Sequence, residues 1–246
     1  MPLGDFTEQA REYAHSRPSY PPELVDLLIR EAQVTPKDLV ADIGAGTGIF
    51  TRQLLERGLS VVAVEPNPAM REQVDRIEAR WVAGTFENTG LAAESVAWAV
   101  AAQAFHWADP KLALPEVRRI LKPGGTFTIL WNQRDASQNP LLQWVNHYLA
   151  RSVPHFAESY LNQPWQEILE STGDFQFTGM QSASHVIMMT RNRFLSLWKS
   201  HNRLGSLAGP AKLQQFLMAL EEELKRHFPG DVEVSYRTQA WTARRC

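Results

Sequence analysis

Cysteine is almost absent from this chain, which has 246 residues and a single cysteine, Cys246, at its last position. One thiol excludes an intrachain disulfide and any zinc site built from several cysteines. The seven histidines are scattered and no H-E-x-x-H pattern occurs, so we expect no metal site. The G-x-S-x-G pattern, which places the nucleophilic serine of many hydrolases on a sharp turn, is also absent.

Charge of one sign and long apolar runs are lacking as well. The formal net charge is −2, which provides no basic surface, and we expect no nucleic-acid partner. The most apolar stretch, Leu91 to Phe105, contains Glu94 and is too short to span a bilayer. Residues 1–17, MPLGDFTEQAREYAHSR, are polar and carry acids, unlike a secretory signal. These features predict a soluble, cytoplasmic protein that does not associate with membranes.

Strand-like and helix-like segments alternate regularly over the first half of the chain. Short apolar runs are typical of buried strands, and amphipathic segments of about ten residues between them are typical of helices. Such alternation predicts parallel βαβ units. The predicted strands are 39–43, 60–65, 80–83, 96–102 and 126–131, and the predicted helices are 7–16, 21–32, 49–57, 68–79 and 110–121.

The alternation ends after Asn132. Residues 139–171 have helical spacing and many aromatic side chains, and a strand is predicted over 182–190. Two more helices are expected over 192–200 and 210–227, before a last strand over 232–242. We predict one α/β domain over residues 1–246, with a helical lid (1–35), a ligand-binding core (36–132), a helical insertion after the fifth strand (133–180) and C-terminal helices and strands (181–246).

Three alternating glycines follow the first predicted strand, in the sequence LVADIGAGTGIF at residues 39–50. Glycine permits a sharp turn and lets a ligand contact the backbone, since there is no Cβ in the way. The dinucleotide fingerprint is G-x-G-x-x-G/A, whereas here the third glycine comes one residue early, at Gly48. Asp42 precedes the first glycine by two residues and would favour an ammonium group over a pyrophosphate. The loop therefore fits a zwitterionic amino-acid moiety better than a diphosphate.

An acid ends the second predicted strand. Glu65 lies about twenty residues after the loop, where a carboxylate can bind both ribose hydroxyls. Dinucleotide sites and S-adenosylmethionine sites share this device, so Glu65 does not choose between them. Met70 follows after one helical turn and either packs on an adenine face or fills the core.

The glycine loop and the acid after it resemble the corresponding motifs of the class I S-adenosylmethionine-dependent methyltransferases. Within that superfamily the chain is similar to small-molecule enzymes of the methyltransferase-type-11, trans-aconitate methyltransferase-like group. The resemblance implies a Rossmann-like, mostly parallel seven-stranded sheet with an antiparallel last strand. It covers nearly the whole chain and includes YAHSRPSYP (13–21), GTFENTGLAAESV (84–96), AAQAFHW (101–107), LKPGGTFTILWN (121–132) and YRTQAWTARR (236–245).

The resemblance also implies which residues hold the cofactor, S-adenosyl-L-methionine. The glycine loop would face its methionine part, Glu65 its ribose and Arg17 its carboxylate. Thr85 stands where the family often has an acid that bonds the adenine amine. The expected cofactor contacts are Arg17, Asp42, Gly44, Ala45, Gly46, Gly48, Glu65, Pro66, Met70, Thr85, Phe86, Ala102 and Gln103.

His106, after the fourth strand, is the expected catalytic residue, and it is also expected to contact the acceptor. It is either a general base for a neutral acceptor or a positioning group. Trp107 either lines the acceptor pocket or fills the core. Tyr13 and Tyr20 either close over the site or pack on the surface of the lid helices. Arg134 either receives an anionic acceptor or is solvated. The same alternatives apply to Arg191, Arg193, Lys199, His201 and Arg203, for which a solvated helix face is preferred.

We predict a methyltransferase that uses S-adenosyl-L-methionine and acts on a small molecule. Oxygen, as carboxylate or hydroxyl, is favoured over nitrogen as the acceptor atom. Three alternatives stay open: a small-molecule N-methyltransferase, a non-catalytic S-adenosylmethionine-binding protein and an NAD-dependent oxidoreductase. The last would need a glycine at position 49 and a catalytic Tyr-x-x-x-Lys pair or an equivalent.

Overall fold

A mixed sheet of seven strands forms the centre of the molecule. The structure is a computed structural model, and it describes residue 7 and residues 10–74, 78–153, 156 and 162–246. The order across the sheet is β3-β2-β1-β4-β5-β7-β6. These strands are β1 (Leu39–Ile43), β2 (Ser60–Val64), β3 (Arg80–Val82), β4 (Val96–Ala102), β5 (Leu121–Arg134), β6 (Phe175–Met189) and β7 (Val232–Arg245).

Parallel pairing joins the first five strands, and antiparallel pairing adds the last two. β1 pairs in parallel with β2 and β4, β2 with β3, and β4 with β5, while β7 runs antiparallel to both β5 and β6. The predicted seven-stranded sheet with an antiparallel last strand is confirmed. The chain passes from β1 outward to β3 and returns to β4 on the other side of β1. The C-terminal ends of β1 and β4 therefore border the crevice in which open α/β sheets bind ligands.

Helices lie before the sheet, between its parallel strands and after β5, as the sequence predicts. No helix in the described part of the chain is long and apolar enough to cross a membrane. The described helices are α1 (Ala10–Ser16), α2 (Pro22–Ala32), α3 (Ile49–Leu55), α4 (Pro68–Glu72), α5 (Pro110–Ile120), α6 (Pro140–Ser152), α7 (Trp165–Glu170), α8 (Arg191–Lys199) and α9 (Asn202–His227).

Four segments differ clearly from the predicted bounds. β5 begins at Leu121 rather than at Thr126, because Leu121 already pairs with Val96. The register between the two strands then shifts across residues 122–125, KPGG, before Trp98 pairs with Thr126. β6 begins at residue 175 rather than 182, because the long β7 offers a partner along its whole length. Helix α9 begins at residue 202 rather than 210 and is kinked at Gly209, whose φ is 71°. The predicted helix 68–79 ends at Glu72, and residues 75–77 lie outside the described ranges.

Apolar clusters cover both faces of the sheet, as expected for parallel strands with helices on each side. One cluster contains Ile43 and Ala101, and a second contains Val40 and Trp98. A third cluster joins α6, α8 and α9 and includes Leu142, Trp198 and Phe216. This third cluster fixes the junction between α8 and α9.

Candidate functional site

The glycine loop is anchored to the end of β2 by backbone hydrogen bonds. The N–H groups of Gly44 and Ala45 donate to the carbonyl oxygen of Val64, at 2.8 and 3.1 Å. The three alternating glycines have φ values of 72°, 58° and 77°, in the left-handed region that favours glycine. A Cβ on Gly44 would lie 2.5 Å from the Cβ of Ala104. Glycine is therefore required where the loop approaches the end of β4.

Asp42 lies at the base of this loop, and only one of its two carboxylate oxygens accepts a hydrogen bond from a described residue. It is fully buried, and its Oδ2 accepts a hydrogen bond from the hydroxyl of Thr51 at 2.6 Å. Its Oδ1 is also buried and has no hydrogen-bond partner among the described residues. Burial raises the pKa of Asp42 to about 7, against the opposing effect of the Thr51 bond. An ammonium group beside Oδ1 would satisfy this oxygen and stabilise the charged carboxylate.

The carboxylate of Glu65 ties two loops together at the end of β2. Its Oε2 accepts from the N–H of Gly46 and its Oε1 from the N–H of Asn67, both at 2.9 Å. Burial raises the pKa of Glu65, and these two hydrogen bonds oppose the rise. Each carboxylate oxygen has a further lone pair. Glu65 can therefore accept from a ligand diol while it holds the glycine loop.

A cavity of about 350 Å³ opens beside the glycine loop, and we call it the first cavity. Its volume lies in the range of small-molecule sites. The predicted cofactor contacts all line it, except Arg17 and Gly48. Gly48 instead forms the N-cap of α3, where its φ of 77° lets the chain turn into the helix.

The segment after β3 supplies both expected and unexpected residues to the first cavity. Phe86 packs edge-on against Phe105, with ring centroids 5.5 Å apart. The hydroxyl of Thr85 accepts a hydrogen bond from the N–H of Asn88 at 3.2 Å. Glu87, which sequence reasoning missed, also lines the cavity. The acid that Thr85 lacks is thus present two residues further along the chain.

A second cavity of about 360 Å³ adjoins the first. Tyr13, Gln103 and Trp107 line both, so these three residues form the boundary between the cavities. Gln103 has a φ of 59°, a left-handed conformation that is rare outside glycine and is often found at functional sites. Burial raises the pKa of Tyr13 above its ordinary value of 10.0. Its hydroxyl is therefore protonated at neutral pH and is no base.

Cations and hydrogen-bond donors line the second cavity. Arg17 and Arg203 contribute guanidinium groups, and His106 and His201 contribute imidazoles. Neither aspartate nor glutamate occurs among the described residues of this lining. Such a wall favours an anion over a cation.

The first cavity has the opposite charge. Asp42, Glu65 and Glu87 line it, and no lysine or arginine does so within the described ranges. A ligand that carries positive charge therefore fits the first cavity, and one that carries negative charge fits the second.

His106 lies beside the boundary, in the short 3₁₀ turn Phe105–Trp107 that follows β4. The indole Nε1–H of Trp131 donates to Nδ1 of His106 at 3.1 Å. The imidazole also lies against Trp107, with ring centroids 4.6 Å apart. The expected catalytic residue is thus held in place by aromatic neighbours on β5 and on its own turn.

Three of the predicted contacts lie elsewhere than expected. Arg17 borders the second cavity, where its Nη2 donates to the carbonyl oxygen of Ser200 at 3.2 Å. Arg134 does not line this cavity, because its guanidinium lies 4.3 Å above the ring of Trp198. Tyr20 lines the first cavity and not the second, since its buried ring packs edge-on against a phenylalanine of α3. The structure thus places each of these side chains away from the cavity where it was expected, and their contacts with cofactor or acceptor stay predictions.

The residues at the start of α9 correct another expectation. His201 and Arg203 line the second cavity and do not form a solvated helix face. The Nδ1 of His201 accepts from the N–H of Leu204 at 3.3 Å, and its ring stacks on Trp198 with centroids 5.7 Å apart. Lys199, by contrast, is exposed.

Comparison with known proteins gives the family context. The profile of a family described as a methyltransferase domain matches residues 41–129. An uncharacterized methyltransferase-like protein of Schizosaccharomyces pombe is 30% identical over 176 residues, which are 70% of this chain and 67% of that protein. An uncharacterized methyltransferase of Mycobacterium tuberculosis is 47% identical over 142 residues, 57% of this chain and 55% of its own length. The matched part of this chain therefore spans about half of the mycobacterial protein.

A solved structure extends the similarity in fold. It is a candidate type II methyltransferase of Anaeromyxobacter dehalogenans, with a TM-score of 0.64 and 26% identity over 93% of this chain and 97% of that one. The family match at residues 41–129 contains the glycine loop, Glu65 and His106. Arg17 and Arg203, which give the second cavity its charge, lie outside that match.

Proposed function

The chain belongs to the class I S-adenosylmethionine-dependent methyltransferases, and we propose that it transfers a methyl group from S-adenosyl-L-methionine to an oxygen atom of a small anionic molecule. The first cavity would hold the cofactor, whose chemical contribution is a methyl group on a positively charged sulfur. The second cavity would hold the acceptor. The products would be a methylated acceptor and S-adenosyl-L-homocysteine.

The residues of the first cavity fit this cofactor. The buried Oδ1 of Asp42 has no partner among the described residues and suits an ammonium group. The hydroxyl oxygen of Thr47, in the same wall, is likewise buried without a partner in the described ranges, and it can bond either end of the amino-acid moiety. Glu65 retains lone pairs for the ribose hydroxyls. Met70 and Phe86 offer apolar surface for an aromatic base.

The charge of the second cavity is the observation that supports oxygen as the methyl-accepting atom. Arg17 and Arg203 line it, and no acid does so in the described part of the chain. A carboxylate or phenolate would be attracted there, whereas a protonated amine would be repelled. An anionic oxygen also has its lone pair available, so no general base is required. The protonated hydroxyl of Tyr13 is consistent with chemistry that needs no base.

The boundary residues would supply orientation. Methyl transfer is an in-line displacement, in which the acceptor oxygen must approach the methyl carbon opposite the departing sulfur. Tyr13, Gln103 and Trp107 line both cavities and so surround the region where the two ligands would meet. Holding two reactants in such a geometry contributes on the order of several kcal/mol to catalysis.

The test offers the same carbon skeletons as carboxylates, primary amides and amines, and measures the release of S-adenosylhomocysteine. We expect turnover of carboxylates and a product that mild alkali hydrolyses, as it hydrolyses a methyl ester. Turnover of amines with an alkali-stable product would contradict the oxygen acceptor and favour an N-methyltransferase.

Two variants localise the acceptor in the second cavity. Arg203→Gln should raise the Michaelis constant for an anionic acceptor by about tenfold, the value of one charge-assisted contact. Lys199→Gln removes the same charge from an exposed site nearby and should leave the constant unchanged. Equal effects of both variants would mean that net charge, and not the cavity, attracts the acceptor.

A further inference from the structure

Trp131 and His106 are joined by a hydrogen bond with only one possible direction. An indole N–H donates and has no capacity to accept. It donates to Nδ1 of His106 at 3.1 Å, so Nδ1 must present a lone pair. A neutral imidazole with an unprotonated Nδ1 carries its hydrogen on Nε2. The hydrogen bond therefore selects one tautomer of His106.

The surroundings of Trp131 prevent its indole from turning to another acceptor. Its side chain is 1% exposed. It stacks on Trp165, with ring centroids 4.5 Å apart and planes at 20°, and meets Trp241 edge-on at 5.6 Å. If Nδ1 of His106 became protonated, the buried indole N–H would lose its acceptor. Because an unsatisfied buried donor is costly, the protein disfavours the tautomer of His106 that carries hydrogen on Nδ1.

This arrangement decides between the two roles that the sequence left open for His106. A general base accepts a proton on an unprotonated nitrogen. In His106 the Nδ1 lone pair is engaged by Trp131, and Nε2 already carries hydrogen. We infer that Trp131 is a positioning residue that holds His106 as a hydrogen-bond donor, through Nε2–H, for the acceptor oxygen in the second cavity.

The second histidine of the same cavity is arranged in the same way. Nδ1 of His201 accepts from the backbone N–H of Leu204 at 3.3 Å, so its neutral ring also carries hydrogen on Nε2. The donor to His201 is a helix terminus and the donor to His106 is an indole, and both give the same tautomer. Two histidines that line the second cavity thus have Nδ1 engaged as an acceptor.

The role of His106 in binding the acceptor rests on the proposed function. The tautomer of His106, by contrast, is a property of the ligand-free protein. It can be measured by nitrogen-15 NMR on protein labelled at histidine and tryptophan. We expect a pyridine-type shift for Nδ1 of His106, a pyrrole-type shift for Nε2, and a scalar coupling between Nδ1 and the indole Nε1 of Trp131. His106→Gln identifies the signals by their loss. A pyrrole-type shift for Nδ1 of His106 would overturn the inference whether or not methyl transfer is found.

Two variants separate the hydrogen bond from packing. Trp131→Phe keeps an aromatic ring in the stack and removes the N–H, and it should give His106 a mixture of tautomers. Trp241→Phe removes an indole that packs against Trp131 and is not among the described residues that line either cavity. It should leave the tautomer of His106 unchanged. If Trp131→Phe does not fold, the scalar coupling in the wild-type protein still decides.

The test is completed by steady-state kinetics with any acceptor that the S-adenosylhomocysteine release assay identifies. Trp131→Phe should lower kcat/KM by about tenfold, mainly through a higher Michaelis constant for the acceptor. Its dissociation constant for S-adenosylhomocysteine should match that of Trp241→Phe. A variant with mixed tautomers and wild-type kinetics would show that Trp131 does not position His106 for the reaction. Absence of turnover in the wild type would count against the proposed function. The NMR measurement would still decide the tautomer of His106 independently.

Discussion

Asp42 and Thr51 form a buried pair in which only one of the two carboxylate oxygens is bonded. The Thr51 hydroxyl donates to Oδ2 at 2.6 Å. Oδ1 has no partner among the described residues, and Asp42 lines the first cavity. Burial outweighs the stabilising bond and raises the pKa of Asp42 to about 7. The pair is therefore suited to gain a cationic partner, and to lose a proton when it does so.

This proton loss makes cofactor affinity depend on pH. A neighbouring ammonium group favours the charged carboxylate, so binding below the pKa of about 7 must expel a proton from Asp42. We expect the association constant of S-adenosylhomocysteine to rise by up to about tenfold per pH unit from pH 5.5 to pH 7, and then to level off. Calorimetry across this range measures the slope.

Asp42→Asn is the matched control for that slope. The amide oxygen can still accept from Thr51, but the side chain no longer titrates. We expect the variant to bind more weakly than the wild type at pH 8, with a smaller slope below pH 7. Burial also raises the pKa of Glu65, so any slope that remains reports Glu65. An unchanged slope in the variant would mean that Asp42 does not face the ammonium group.

Gly46 should be indispensable for cofactor binding. Its φ is 58° and it lines the first cavity, so the valine side chain of Gly46→Val would enter the ligand's space. Gly58→Val imposes similar backbone strain, since Gly58 has a φ of 75° with nothing within 4 Å of an added Cβ. Both variants should melt earlier, and only Gly46→Val should lose the rise in melting temperature with S-adenosylhomocysteine. A folded Gly46→Val protein that keeps the rise would place the cofactor elsewhere.

Arg17 should act on the acceptor more than on the cofactor. Its guanidinium borders the second cavity, beside Ser200 and over the ring of Tyr13. Arg17→Ala should raise the Michaelis constant for an anionic acceptor by about tenfold and leave cofactor affinity within about twofold. A tenfold loss of cofactor affinity in calorimetry would instead support the sequence-based assignment of Arg17 to the cofactor carboxylate.

His106→Asn should keep a substantial part of the activity. Its amide oxygen can accept from Trp131 and its amide nitrogen can donate, so kcat/KM should fall by about tenfold, mainly through the Michaelis constant. His106→Ala lacks both groups and should lose more. A general base would contribute about a hundredfold or more. A hundredfold fall in kcat for the asparagine variant would therefore support the base and contradict the positioning role.

The first cavity could be predicted because its residues follow short, strongly patterned segments. The bounds of β1 and β4 agree with the prediction. Asp42, Glu65 and Gln103 each lie at or next to the end of one of the parallel strands, and topology brings those ends together. The glycine spacing and the acids at the ends of β1 and β2 therefore predict most of this cavity.

The second cavity could not be predicted in this way, because it joins segments that are distant in the sequence. The guanidinium of Arg193 donates to the carbonyl oxygen of Ser16 at 3.3 Å, and this contact holds α8 against α1. Only this packing brings Arg17 and Arg203 to one wall. Local charge on a helix does not reveal which side the rest of the fold will cover, so Arg203 was assigned to solvent.

The most direct test of cofactor use is the melting temperature of the wild-type protein with S-adenosylmethionine, S-adenosylhomocysteine or NAD. Ligand that binds only the native state raises the melting temperature. We expect both S-adenosyl compounds to raise it and NAD to leave it unchanged, because the first cavity places Asp42 and Glu65 where a zwitterion and a ribose would bind. A rise with NAD alone would contradict the assignment of this chain's first cavity to S-adenosyl-L-methionine.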